Sequence, residues 1–362
     1  MQRIVLLIIC WAQSFYYLGQ HVFFGERNLD RPTTALYFDS EGTIYPDFVI
    51  ADTAIERAGG TLMGWYAHHP NDFQTICQQY RISTPDFNYA FSCLQDSILT
   101  QKARRLNAQN PQTLTFLVHG YRKSFHEITD GISSVREFSL LENKLIDLQL
   151  KTDAFIEVYW DGTYACCFSF SDQKTNQQLF KNFEIAQQNA IAVGENLRKF
   201  AVQLKAPRLN FIAHSLGSKV VVSSLVNLRD CDVQTPQNPT INICLIAPAI
   251  GGMETFKHYY DREKQAQSDH YKLYILYNEK DFALKKKDSK LFLFGPGVHR
   301  FGTTTLGCNH RHEIQKVERL FQEKYPQSTI QTENMTYIGK QHSLSFYAQG
   351  NYLYQAVQFL NR

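Results

Sequence analysis

Phe211-Ile-Ala-His-Ser215-Leu-Gly217 reads as a strand that runs into a sharp turn carrying one serine. The turn opens a helix, Ser218-Lys-Val-Val-Val-Ser-Ser-Leu-Val-Asn-Leu228. A strand, a serine on a tight turn and a helix together make a nucleophile elbow, usually spelled G-x-S-x-G. The elbow lifts the hydroxyl clear of the strand end. It also sets the next backbone N–H, that of Leu216, where it can hold a developing oxyanion. Small residues are needed two positions either side of the serine, because the strand and helix backbones nearly touch there. Ala213 and Gly217 fill those places, and alanine for the first glycine is a mild departure. The plainer alternative is an ordinary strand-to-helix turn whose serine caps the helix.

A serine hydroxyl is a poor nucleophile until a base takes its proton. The segments that follow supply an acid and a base in the order serine, acid, histidine. The acid candidate is Asp281, in the loop Asn278-Glu-Lys-Asp281-Phe-Ala-Leu284 after the strand-like run Tyr271-Lys-Leu-Tyr-Ile-Leu-Tyr277. A carboxylate at that strand end can accept an imidazole N–H and fix its tautomer. Glu279 and Asp288 are rivals in the same loop, and Asp281 could instead cap a short helix starting at Phe282. The preceding strand, Ile241-Asn-Ile-Cys-Leu-Ile-Ala247, leads into Pro248-Ala-Ile-Gly-Gly252 with no acid before Glu254. The base candidate is His342, chosen from twelve histidines by its place. It lies between a short strand expected at Met335-Thr-Tyr-Ile338 and a last amphipathic segment, Tyr352 to Leu360.

A second oxyanion donor is expected after an earlier strand. Gln112-Thr-Leu-Thr-Phe-Leu-Val118 is a good buried strand ending in His119-Gly120-Tyr121-Arg122. Gly120 permits a tight turn. The Tyr121 N–H is the chosen donor, and His119 is read as a structural brace. Arg122, Tyr164 and Phe168 are candidates for the pocket wall, with Phe170, Phe292 and Phe294 as further aromatics. These rings could equally pack insertions onto the body.

These segments together resemble the α/β-hydrolase superfamily from about residue 112 onward. The resemblance rests on Leu117-Val-His-Gly-Tyr121, Val158-Tyr-Trp160-Asp-Gly162, Ile212-Ala-His-Ser-Leu-Gly217, Asn278-Glu-Lys-Asp281-Phe-Ala-Leu284 and Phe301-Gly302. More narrowly, the chain is similar to a largely uncharacterised bacterial esterase/lipase-type subgroup. Members often carry an aspartate just after the Ala-Pro that ends the sixth core strand; here that place is Ala249. The resemblance implies serine ester hydrolysis without a cofactor, but names no substrate. Acyl transfer and thioester or amide cleavage on the same triad are alternatives, as is a non-catalytic binding protein on the same fold.

Composition narrows the class. The 362 residues are 44% hydrophobic and 20% charged, as in a globular protein. A net charge of +3 without a basic, aromatic-laced stripe argues against nucleic-acid binding. Met1-Gln-Arg3 followed by Ile4-Val-Leu-Leu-Ile-Ile-Cys-Trp-Ala12 reads as a secretory signal cleaved before Gln13, and a buried first strand is the alternative. That run is far shorter than the ~20 residues of a membrane span. The expected setting is secreted or periplasmic, with lipid anchoring on Cys10 disfavoured by the bulk of Ile9. Eight cysteines, seven after cleavage, do not outline a disulfide framework. His310 and His312 near Cys308 lack zinc-site spacing, so no metal is expected.

The expected organisation is a signal at 1–12, an N-terminal region at 13–111 and a catalytic core at 112–362. Insertions are expected near 161–180 and 285–325. In the N-terminal region, Tyr45 to Ile50, Thr61 to Tyr66 and Ile76 to Ile82 read as edge strands and Phe91 to Asn110 as a helix. Beyond it, strands and helices alternate: strand 113–118, helix 126–148, strand 154–160, helix 176–204, strand 208–212, helix 216–228. The fold class is therefore α/β: a mostly parallel central sheet, helices on both faces and extra N-terminal strands.

Overall fold

Short apolar runs separated by longer amphipathic ones favour side-by-side pairing in the same direction, because a helix between them can cross a sheet face and return the chain to the same end. The computed structural model describes residues 33–46, 61–121, 134–160, 173–225, 239–252, 271–284, 306–324 and 329–362. Among these, seven strands form one sheet: β1 (Thr33–Phe38), β2 (Thr113–Val118), β3 (Ala154–Trp160), β4 (Arg208–His214), β5 (Thr240–Ile246), β6 (Tyr271–Tyr277) and β7 (Thr329–Asn334). Their order is β1-β3-β2-β4-β5-β6-β7, and every neighbouring pair is parallel. β2 and β3 are buried at every position, which is why both are rich in apolar residues.

The helices are α1 (Leu62–His68), α2 (Pro70–Gln79), α3 (Phe87–Asn107), α4 (Ser134–Asp147), α5 (Gln173–Ala201), α6 (Gly217–Leu225), α7 (Glu313–Lys324), α8 (Leu344–Tyr347) and α9 (Tyr354–Leu360). They cover both sheet faces. On one face Phe116 stacks on Phe211 at 4.3 Å, and Phe200 of α5 meets Phe116 edge-on at 6.2 Å. On the other, Phe138 of α4 packs on Tyr159 and Phe359 of α9 packs on Tyr274, each at 5.2 Å.

That second face also buries a polar row. Asn242 Nδ2 donates to Asn210 Oδ1 at 2.9 Å and to the Leu360 carbonyl at 3.1 Å. Asn210 Nδ2 in turn donates to Thr115 Oγ1 at 3.3 Å. Thr115, Asn210 and Asn242 are register partners across β2, β4 and β5, so one row of the sheet reaches out to hold α9.

Three expected strands have other structures. Thr61 to Tyr66 lies in α1, whose N-cap Thr61 side chain accepts from the Gly64 N–H at 3.1 Å. Its buried residues, Leu62 and Tyr66, are four apart, a helical spacing that outweighs the strand preference of Trp65 and Tyr66. Ile76 to Gln79 ends α2, where Phe73, Ile76 and Cys77 share one buried stripe after a proline in the first turn. Met335 to Ile338 is one short turn of 3₁₀-helix, and the last strand lies just before it. That strand, β7, escaped notice because it is a polar edge strand paired on one side only.

The N-terminal strand that does form, β1, joins the sheet edge in parallel with β3. Of the Tyr45 to Ile50 run, 47–50 lie outside the described residues; an antiparallel bridge, Phe38 to Ile44, precedes it. Asp39 makes the turn between the bridged residues. Its Oδ1 accepts from the Glu41 and Thr43 N–H groups at 2.9 Å each, and its Oδ2 accepts from the Leu62 N–H at 2.8 Å. Burial still pushes this carboxyl up to about 6.

Asn242→Ala leaves the Asn210 oxygen and the Leu360 carbonyl buried without their donor. It should lower the unfolding free energy by about 1–3 kcal/mol with an unchanged denaturant slope, as read by urea titration.

Candidate active site

β4 ends at His214 and α6 begins at Gly217, so two residues make the whole reversal. Ser215 takes φ +53°, a left-handed conformation that a serine adopts only when its surroundings enforce it. The enforcement is visible. The Ser215 N–H donates to the Ile246 carbonyl at 3.0 Å, and the Ser215 carbonyl accepts from the Ala249 N–H at 3.0 Å. The next turn closes from the Ser218 N–H at 3.2 Å. A Cβ on Gly217 would lie 2.4 Å from the His119 oxygen and 2.6 Å from the Val118 oxygen. A Cβ on Gly120 would lie 2.8 Å from Ser215 Cβ. The end of β2 and the serine turn thus interlock backbone to backbone.

The structure brings the three residues chosen from the sequence together. His342 Nε2 lies 3.0 Å from Ser215 Oγ, and His342 Nδ1 lies 2.7 Å from Asp281 Oδ2. A carboxylate can only accept, so Nδ1 carries the proton and Nε2 offers its lone pair to the serine hydroxyl. Asp281 is fully buried, whereas the His342 side chain keeps 17% of its surface exposed. The other oxygen of Asp281 accepts from the Ala283 and Leu284 N–H groups at 2.9 and 3.1 Å. Turn capping and contact with histidine are therefore both true of this residue. The rival Glu279 is engaged elsewhere, accepting from Asn309 Nδ2 at 2.8 Å, and Asp288 lies outside the described residues. Burial, and after it the charge of Asp281, raise the pKa of the Tyr347 hydroxyl, which stays a neutral neighbour.

His119 is a brace. Its Nε2 accepts from the Trp160 N–H at 3.1 Å, and its Nδ1 sits 2.9 Å from the Gly120 carbonyl, to which it donates. Its own carbonyl accepts from Trp160 Nε1 at 2.9 Å, and the two rings stack at 5.6 Å. This ties the ends of β2 and β3 and fixes the turn at Gly120. Tyr121 follows, with its ring edge-on to Phe183 of α5 at 5.3 Å. Leu216 follows the serine, its side chain fully buried. Arg122, Tyr164, Phe168, Phe170, Phe292 and Phe294 lie outside the described residues.

Two residues without an assigned role in the sequence also contact the site. His214 Nε2 donates to the His342 carbonyl at 2.7 Å. Asn278 Nδ2 donates to the Gly339 and Gln341 carbonyls at 2.8 and 3.1 Å. Their only local signal was a buried polar side chain at a strand end. Among the described residues Cys77, Cys93, Cys244 and Cys308 carry reduced thiols. Burial, with the Glu333 charge, drives the Cys244 thiol pKa up, so it stays protonated. Cys308 Sγ donates to the Leu284 carbonyl at 3.5 Å. No group of three or more His, Cys, Asp or Glu among the described residues is arranged to hold a metal.

Residues 95–316 match the family described as alpha/beta hydrolase of unknown function, DUF900. The chain belongs to this family. Two solved structures are similar to this DUF900 member at a low level. The lin2722 gene product of Listeria innocua is 10% identical, with a TM-score of 0.35, over 69% of this chain and 94% of that one. An uncharacterized protein from Bacillus cereus ATCC 10987 is also 10% identical, with a TM-score of 0.34, over 77% of this chain and 71% of that one. No curated protein matches this hydrolase. Among the described residues no helix is long and apolar enough to cross a membrane.

Gly217→Ala tests the interlock. Its methyl group would collide with two backbone oxygens that cannot rotate away. The substitution should cost about 1–3 kcal/mol of stability, measured as a lower thermal midpoint.

Proposed function

We propose that this alpha/beta hydrolase cleaves a carboxylic ester through an acyl-enzyme on Ser215. One observation carries the reading: an unbroken chain of hydrogen bonds from Ser215 Oγ through the His342 ring to Asp281, at 3.0 and 2.7 Å. In this reading Nε2 of His342 takes the serine proton as Oγ attacks the carbonyl carbon. Asp281 stabilises the imidazolium that results. The N–H groups of Leu216 and Tyr121 hold the oxyanion of the tetrahedral intermediate. On its collapse His342 passes the proton to the alcohol oxygen and the C–O bond breaks. Water then attacks the acyl carbon as His342 takes one of its protons, and on collapse His342 returns that proton to Ser215 Oγ, releasing the acid.

The strained φ of Ser215 supports the same reading, since it holds the hydroxyl at the sheet edge, where parallel α/β folds bind their ligands. The substrate class is a small ester or lipid-like ester, and no cofactor takes part. The signal-like composition of Met1 to Ala12 supports a secreted or periplasmic setting.

A fluorophosphonate probe tests the activated serine. Wild type should be labelled, and Ser215→Ala and His342→Ala should not. A folded wild type that takes no label would end the hydrolase reading. Asp281→Asn should lower kcat on a p-nitrophenyl ester by about 10⁴-fold, because the amide permits the wrong histidine tautomer.

A further inference from the structure

The base of this site sits on irregular backbone. His342 lies between the 3₁₀ turn Thr336–Ile338 and the four-residue helix α8, outside any regular element. Its ring must nevertheless hold one nitrogen 3.0 Å from Ser215 Oγ and the other 2.7 Å from Asp281. The donors that meet this loop come from two particular places. His214, whose Nε2–H meets the His342 carbonyl at 2.7 Å, is the residue immediately before Ser215. Asn278, whose amide meets the Gly339 and Gln341 carbonyls, is three residues before Asp281. Each of the other two triad members therefore has a chain neighbour that grips the histidine loop.

Both grips are buried and directional. His214 is 3% exposed and Asn278 is fully buried. The Asn278 oxygen is held by the Lys280 N–H at 2.9 Å, which orients its NH₂ group toward the loop. The Asn278 N–H donates to the Gly307 carbonyl at 2.9 Å, so its own backbone is anchored too. A loop tied through three carbonyls cannot shift the His342 backbone without breaking one of these hydrogen bonds.

We propose that His214 and Asn278 are positioning residues that set where His342 stands relative to Ser215 and Asp281. The proposal rests on the hydrolase reading of Ser215 given above. Neither residue touches the reacting atoms. His214 couples the base to the nucleophile's backbone, and Asn278 couples it to the acid's loop. A displacement near 1 Å of a reacting group costs up to about 100-fold in rate, so loss of either grip should appear in kcat.

The test compares full-length wild type, His214→Ala, His214→Gln and Asn278→Ala. Four readouts are taken: p-nitrophenyl butyrate hydrolysis, fluorophosphonate labelling, thermal midpoint, and the downfield proton NMR signal of the His342 Nδ1–H on Asp281. Both alanine variants should lose about 10–100-fold in kcat with KM unchanged, and their downfield signal should broaden or move. Glutamine carries a nitrogen donor near the place of the imidazole Nε2, so His214→Gln should regain most of the lost rate. Folded alanine variants with wild-type kcat and an unmoved proton signal would overturn the proposal. So would a kcat loss no larger than the unfolded fraction explains, or a glutamine variant no better than alanine. If one alanine variant fails to fold, the other carries the same comparison. A wild type that shows the downfield proton yet takes no label and cleaves no ester would overturn the hydrolase reading alone. The signal in the variants would then still decide the positioning.

Discussion

The Val118 and His119 carbonyl oxygens press against the Cα of Gly217, with no space for a single carbon between them. This contact sets how closely α6 approaches the end of β2, and the approach dictates the reversal at Ser215. A wider crossing would let the serine relax out of φ +53°. Its carbonyl would then leave the Ala249 N–H, and its hydroxyl would drop back toward the strand. Backbone strain here is sustained by neighbours on three sides: β2 through Gly120 and Gly217, β5 through Ile246, and the loop after β5 through Ala249. Packing of this density makes such strain persistent, because no single contact can yield alone.

The polar groups near the site are divided between those that tie backbone together and those that meet Ser215. His119 joins β2 to β3 through Nε2 and its carbonyl and braces its own turn through Nδ1, so it is a strut even though it lies at the strand end next to the serine. His342 is held by its backbone while its ring spans Asp281 and Ser215. The two histidines share a side-chain type but not a fate. The difference comes from what each nitrogen faces: a backbone amide and carbonyl for His119, a carboxylate and a hydroxyl for His342.

Much of this was legible in the sequence, and the failures have a common cause. β3 and β6 begin and end where the mainly apolar runs do, because a strand buried on both faces is built mostly of apolar residues. The order Ser215, Asp281, His342 could be read because each lies just past a recognisable strand or before a recognisable helix. By contrast, α1 is seven residues long, too short for its four-residue spacing to outweigh two adjacent aromatics. β7 is polar and lies at the edge, so no apolar pattern marks it. His214 and Asn278 could not be assigned, because their partner carbonyls are 128 and 61 to 63 residues away. Local composition records what a residue is, while these two roles depend on which distant loop the topology delivers to them.

The buried row of Thr115, Asn210 and Asn242 has a temporal meaning as well as a structural one. Its last acceptor is the Leu360 carbonyl, 118 residues after Asn242. A ribosome therefore releases β2, β4 and β5 long before the segment that satisfies this row has been made. Ser215 emerges early too, 127 residues ahead of His342. The growing chain thus holds Ser215 without its hydrogen-bond partner until a much later segment has been made.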